Sequence, residues 1–148
     1  MIIMSILSAD QIRLNVKVSD KYEAIRLAGQ MLVDAGHVDQ EYVEKMIERE
    51  NALSTYMGAG LAIPHGTNEA KGMIKSTGLA VLQIPDGVDF GGDEPAVLVV
   101  GIAAQNGEHM DILTGVAMVC SDEDSMEGIR TAKTAEEILS IFESGMEE

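Results

Sequence analysis

The chain has three histidines, His37, His65 and His109, and only His65 stands in a rigid frame. Pro64 before it fixes its own φ and biases Ile63 towards an extended conformation. Leu61, Ala62 and Ile63 form a short apolar run of the kind that is buried. Gly66 follows, which lets the backbone turn sharply and another molecule come close. Thr67 and Asn68 add a hydroxyl and an amide. An imidazole at the end of a buried segment, beside glycine and a hydroxyl, suits nucleophilic chemistry. A histidine in a surface loop is the plainer alternative, and the spacing alone leaves both open.

Two further residues could join such a site. His109 is expected at the first turn of a helix that follows a buried strand. Open α/β sheets place ligand groups there, and helix N-termini offer N–H groups to anions. An exposed histidine at a helix start is the alternative, and the local pattern favours it. Arg49 falls at the end of another predicted helix, where the helix dipole favours a cation. A guanidinium there could instead hold an anionic group with two charge-assisted hydrogen bonds. Spacing does not decide between these roles. His37, beside Val38 and Asp39, reads as a surface turn residue. A metal site built from His65, Glu108 and His109 would lack the close paired ligands of zinc sites, such as HxxxH or CxxC, so no metal is expected.

The elements that must position these residues follow from the pattern. Ile12, Leu14, Val16 and Val18 alternate with polar residues and would share one face of a strand over 12–18. Asp20 with Glu23 resembles a capping box opening a helix, and Gly36 closes it. Asp39 can cap a second helix, with Tyr42, Val43, Met46 and Ile47 on its apolar stripe, ending close to Arg49-Glu50. Residues 76–84 read as a strand stopped by Pro85-Asp86-Gly87, with Val88-Asp89-Phe90 as the return arm of a hairpin. Residues 96–104 are apolar without alternation, the mark of a strand covered on both faces. Asn106 can cap the next helix, with Met110, Leu113, Ala117 and Met118 inward. A short helix over 125–130 follows, and Thr134 with Glu137 caps a last helix carrying Ile138, Leu139, Ile141 and Phe142 inward. Met146-Glu147-Glu148 should fray. The expected fold class is therefore α/β: a single domain, residues 1–148, with a mixed central β-sheet flanked by helices on both faces.

Composition narrows the function. With 148 residues and 46% hydrophobic side chains, the chain can build one proper core. It has no run near the roughly 18 apolar residues of a membrane span, and MIIMSIL lacks the basic start of a signal peptide. A soluble, cytoplasmic protein without direct membrane insertion is expected. The net charge of −15 argues against nucleic acid and suits a partner with a basic face. The lone Cys120 excludes an intramolecular disulfide and reads as a buried small side chain. Met31, Met46 and Met118 read as core. No GxxxxGK[ST] phosphate loop is present.

The segments Arg49-Glu50-Asn51, Ser54-Thr55, Gly58, Gly60 and Ala62-Ile63-Pro64-His65-Gly66-Thr67 resemble the active-site segment of the enzyme IIA domains of bacterial phosphoenolpyruvate-dependent sugar phosphotransferase systems, of the mannitol/fructose type and its mannitol branch. Gly92-Asp93-Glu94-Pro95, the strand Val97–Ala104 and Glu108-His109-Met110-Asp111-Ile112-Leu113 support it. The resemblance runs from about Leu7 to about Phe142. It implies that His65 accepts a phosphoryl group through Nε2, the tele nitrogen, with Nδ1–H held by an acceptor that fixes the tautomer. It implies that His109 lies beside His65 and that His109 and Arg49 hold the phosphoryl oxygens. Backbone N–H groups near Gly66 and Thr67 would assist, with Lys71 a weaker candidate. The implied donor is the phosphocarrier HPr, which has a basic, partly apolar face. The implied acceptor is a cysteine on the enzyme IIB domain of a mannitol-type permease, here a separate protein. No cofactor is implied. A regulatory phosphoprotein of the nitrogen-related enzyme IIA branch is the alternative.

Overall fold

A computed structural model describes residues 6–105 and 108–146; the His109 side chain lies outside that description. The elements are β1 (Ile12–Arg13), α1 (Lys21–Asp34), α2 (Tyr42–Ala52), β2 (Tyr56–Gly58), β3 (Leu61–Ala62), β4 (Gly78–Val88), β5 (Ala96–Ala103), α3 (His109–Ser121), α4 (Glu123–Thr131) and α5 (Ala135–Met146). One five-stranded sheet runs in the order β1-β4-β5-β3-β2. The β1–β4 and β3–β5 pairs are parallel, and the β4–β5 and β2–β3 pairs antiparallel.

Helices cover both faces, as the unbroken apolar stretch in β5 requires. On one face Ile25, Leu32, Tyr42 and Met46 of α1 and α2 pack with Ala80, Leu82 and Val99. On the other, Ile112, Val116, Ile129 and Phe142 of α3, α4 and α5 pack with Leu79, Val81, Leu98 and Val100. The period-two alternation of β4 and β5 thus feeds two separate cores. The mixed α/β architecture matches the expectation from sequence.

Helix boundaries follow their caps. Asp20 accepts the Glu23 N–H at 2.9 Å, and Glu23 accepts the Ser19 N–H at 2.7 Å. Gly36 leaves α1 with φ +82°, a left-handed turn that glycine takes without a Cβ clash. Thr134 Oγ1 accepts the Glu137 N–H at 3.2 Å at the start of α5.

Several expectations are corrected. The strand over 12–18 stops after Arg13, because Asn15 takes a left-handed φ of +53° and its N–H bonds to Gln83 Oε1. The chain switches faces there: Leu14 packs with the α3–α5 core, and Val16 and Val18 with the α1–α2 core. Pro85-Asp86-Gly87 does not end β4 but forms an irregularity inside it, between Gln83 and Val88. Gly87 (φ +80°) bends the strand there, and Pro95 packs where its Cβ would lie. The hairpin partner of β4 is β5, not residues 88–90. Glu41, not Asp39, occupies the N-cap of α2; the Asp39 carboxylate pairs with Lys75 at 3.1 Å. Met146 does not fray: it is 6% exposed and packs in the core. The proposed Asn106 cap lies outside the described residues.

The phase of α3 also differs. Its inward stripe is Ile112, Val116, Val119 and Cys120, whereas Met110 and Met118 are 67% and 63% exposed. This helix is apolar on most of its surface, so periodicity did not fix which side faces in.

Candidate active site

His65 sits where two parallel strands end together. The Pro64 carbonyl accepts the Ile102 N–H at 2.9 Å, and His65 bridges Ile102 in parallel register just beyond β3. The chain leaves β5 at the same end of the sheet and enters α3 at His109. The backbones bearing the two sequence-remote histidines therefore lie off the carboxyl ends of β3 and β5, the end of the sheet where α/β folds bind ligands.

The ring of His65 is oriented by its own backbone. Nδ1 lies 2.8 Å from the Ile63 carbonyl oxygen. A carbonyl only accepts, so in the neutral ring Nδ1 carries the proton and Nε2 the lone pair. This is the tautomer required for attack through Nε2.

The turn around His65 is fixed by Tyr42. Its hydroxyl donates to the Ile102 carbonyl at 3.0 Å and accepts the Gly66 N–H at 2.9 Å. Gly66 does not have a positive φ. It is glycine because a Cβ there would lie 2.6 Å from Tyr42 Cε1. The space next to Gly66 is thus filled by this chain's own ring, and its N–H is engaged with Tyr42 rather than open to a phosphoryl group. Thr67 differs: its Oγ1 is buried and has no hydrogen-bond partner among the described residues.

Arg49 lies in the last turn of α2, which runs on to Ala52, and its Nη1 donates to the Leu53 carbonyl. The helix-end role read from the sequence is therefore real. Arg49 also lines two clefts that both reach His65. One, of about 330 Å³, is polar and adds Tyr42, Thr67, Asn68 and Lys71. The other, of about 710 Å³, is mainly apolar and is walled by Leu53, Met57, Met110 and Leu113. The structure thus brings Arg49, His65, Thr67 and Lys71 around one place. It sets the start of α3 beside them, with the His109 side chain outside the described residues.

Some residues of this region were not singled out by sequence. Glu50 is buried with its side chain inaccessible, and it receives the Thr55 N–H at 2.8 Å, the Thr55 hydroxyl at 2.6 Å and Lys21 Nζ at 3.1 Å. Burial opposes its charge, but these donors, with the Ser54 hydroxyl, hold its pKa below the ordinary value. Thr77 Oγ1 donates to Glu108 Oε1 at 2.8 Å and accepts the Gln105 N–H at 3.0 Å, tying down the segment that leads into α3. His37 lies in the turn after α1 as read, but it is not fully exposed. It is half-buried, its Nδ1 is 2.8 Å from Ser76 Oγ, and its ring packs on Gly78. Cys120 is buried as expected, and burial pushes its thiol to about 12.

A chain with this fold has known counterparts. Residues 5–145 match the family model described as "Phosphoenolpyruvate-dependent sugar phosphotransferase system, EIIA 2", and the chain belongs to that family. Within it, the chain is 48% identical over 139 residues to the mannitol-specific phosphotransferase enzyme IIA component of Bacillus subtilis, covering 94% of this chain and 97% of that one. Among solved structures, it resembles an enzyme IIA–mannitol chain from Escherichia coli in complex with phosphorylated enzyme IIB–mannitol. The TM-score is 0.88 and the identity 41%, covering 92% of this chain and 96% of that one. The nitrogen regulatory protein IIA-Ntr of Neisseria meningitidis is more distant, with a TM-score of 0.79 and 27% identity, over 93% and 97% of the two chains.

Proposed function

We propose that this chain is the enzyme IIA phosphocarrier of a mannitol phosphotransferase system. It takes a phosphoryl group from phosphorylated HPr onto His65 Nε2 and passes it to the cysteine of an enzyme IIB domain, on the cytoplasmic side of a mannitol permease. The observation that carries this reading is the His65 Nδ1–Ile63 carbonyl contact at 2.8 Å, which leaves the nucleophilic lone pair on Nε2.

In the first transfer the Nε2 lone pair forms the new N–P bond. The N–P bond to the donor imidazole breaks, and its electron pair returns to the donor ring. Positive charge develops on the His65 ring as Nε2 bonds to phosphorus. The Ile63 carbonyl, already accepting from Nδ1–H, stabilises that charge through a hydrogen bond that becomes charge-assisted. In the second transfer the IIB thiolate sulfur attacks phosphorus, and the electron pair returns to Nε2. Catalysis is then a matter of positioning and of charge placed where it develops. Arg49 and His109 are the groups proposed to hold the phosphoryl oxygens, with the Thr67 hydroxyl, which has no partner among the described residues, as a further donor.

The surroundings of His65 suit docking proteins. Leu53, Met57, Met110 and Met118 are each more than half exposed, and the first three line the cleft with His65. Met118 lines it too, from one turn further along α3 than Thr114. An apolar rim on a chain of net charge −15 fits a partner with basic and apolar residues. The much higher identity to mannitol components than to the nitrogen regulatory protein favours the transport role. Incubation with phosphoenolpyruvate, enzyme I and HPr should add one phosphoryl mass to the wild type and none to His65→Ala. Undiminished labelling of His65→Ala would overturn the reading.

A further inference from the structure

We infer that Glu50 is a positioning residue for His65, acting through Thr55 and Ile63 to set the tautomer of the acceptor ring. The inference rests on His65 being the acceptor.

A buried carboxylate is costly unless its oxygens are satisfied. The Glu50 side chain is inaccessible, and both oxygens are engaged: Oε1 by the two Thr55 donors, Oε2 by Lys21. The Thr55 N–H and hydroxyl converge on a single oxygen, which fixes the position and rotation of Thr55. The Thr55 carbonyl in turn accepts the Ile63 N–H at 3.0 Å. The Ile63 carbonyl accepts His65 Nδ1–H at 2.8 Å. Each link crosses a whole residue rather than one conjugated peptide unit, so the coupling is positional. The carboxylate holds Thr55, Thr55 holds the backbone of Ile63, and Ile63 presents the oxygen that decides which ring nitrogen keeps the proton.

The placement is economical for the site. Glu50 follows Arg49 in the last turns of α2, and Thr55 lies at the start of the segment that runs through β2 and β3 to His65. The Lys21 contact ties this hub to the first turn of α1. Nothing else among the described side chains accepts from Thr55. Removing the carboxylate leaves two buried donors of Thr55 without their acceptor, and the simplest relief is a shift of the 53–55 backbone. A shift there is carried directly to Ile63.

The test uses full-length Glu50→Gln and Glu50→Ala, with nitrogen–proton correlation spectra of the His65 ring and the initial rate of phosphoryl transfer from phosphorylated HPr. The wild type should show a single Nδ1–H tautomer. Glu50→Ala should show a mixture with the Nε2–H form and a rate about 10- to 10²-fold lower, the scale of a misplaced reacting group. Glu50→Gln keeps one acceptor oxygen and should fall between the two in both measures. Amide spectra of α4 and α5, on the far side of the sheet, report whether each variant is folded. Folded variants with the wild-type tautomer and rate would overturn the inference. So would unfolding of both, which would make Glu50 an anchor of the fold alone. If wild-type His65 takes no phosphate, the function proposal fails; the tautomer measurement needs no phosphate and judges Glu50 separately.

Discussion

The Tyr42 hydroxyl lies 2.9 Å from the Gly66 amide nitrogen, 24 residues away in sequence, and the Tyr42 ring occupies the space that a Cβ on Gly66 would need. One side chain from the first turn of α2 thus locks the peptide that follows His65. Tyr42→Phe would leave the Gly66 N–H and the Ile102 carbonyl without this partner. A stability loss of about 1–3 kcal/mol is expected from the unsatisfied groups, with slower transfer, measured by urea denaturation and by labelling kinetics. Gly66→Ala should cost a similar ~1–3 kcal/mol through overpacking against the ring.

The same hydroxyl carries an alkaline signature. Burial raises Tyr42 from 10.0 to about 12, although the Gly66 N–H acts the other way. The folded state holds the phenolic proton longer than the unfolded chain. Stability from this group is therefore complete below about pH 10 and is lost as pH rises towards 12. Tyr42→Phe should flatten that part of the stability profile; an equally steep alkaline loss in the variant would contradict it.

His37 gives the opposite case. Burial lowers its pKa, so below about pH 6.5 the unfolded chain takes up a proton that the folded chain resists. Stability should fall as the medium is acidified through that point. His37→Phe keeps a ring over Gly78 and cannot titrate. Its urea midpoint should drop less than that of the wild type between about pH 7 and about pH 5. Equal drops in the two proteins would show that His37 does not contribute.

Arg49 has a helix-end contact and a proposed transfer role to separate. Its hydrogen bond to the Leu53 carbonyl predicts a modest stability loss for Arg49→Ala, about 0.3–1 kcal/mol for a cation at a helix end. Its place in both clefts beside His65 predicts a much larger loss of transfer rate. Arg49→Lys keeps the charge but not the two-pronged fork, and should restore stability better than rate. A rate loss no larger than the stability loss explains would confine Arg49 to the helix end.

The sequence made local features legible and left spatial ones open. Asp20, Gly36 and Thr134 act where they were read, because caps and left-handed turns depend on neighbours in the chain. The unbroken apolar run of β5 correctly implied helices on both faces. Asn15 misled, because alternation over 12–18 looks the same whether the chain stays on one face or crosses to the other. Pro85-Asp86-Gly87 misled, because a bulge and a turn use the same residue types. The phase of α3 was hidden by its excess of apolar residues, which left Met110 and Met118 in the cleft wall. His65 and Arg49 stood out in a local motif, and both line the same two clefts. Glu50 stood inside that motif, but a buried carboxylate cannot be told from a surface one without the contacts of Thr55 and Lys21.

With His65 as the acceptor, phosphate goes to Nε2 because the Ile63 carbonyl holds the proton on Nδ1. Nitrogen–phosphorus correlation NMR on protein phosphorylated through enzyme I and HPr tests this directly. One phosphorylated ring is expected, His65, with phosphorus on Nε2 and the proton retained on Nδ1. Phosphorus on Nδ1 of His65, or on His37 or His109, would contradict it.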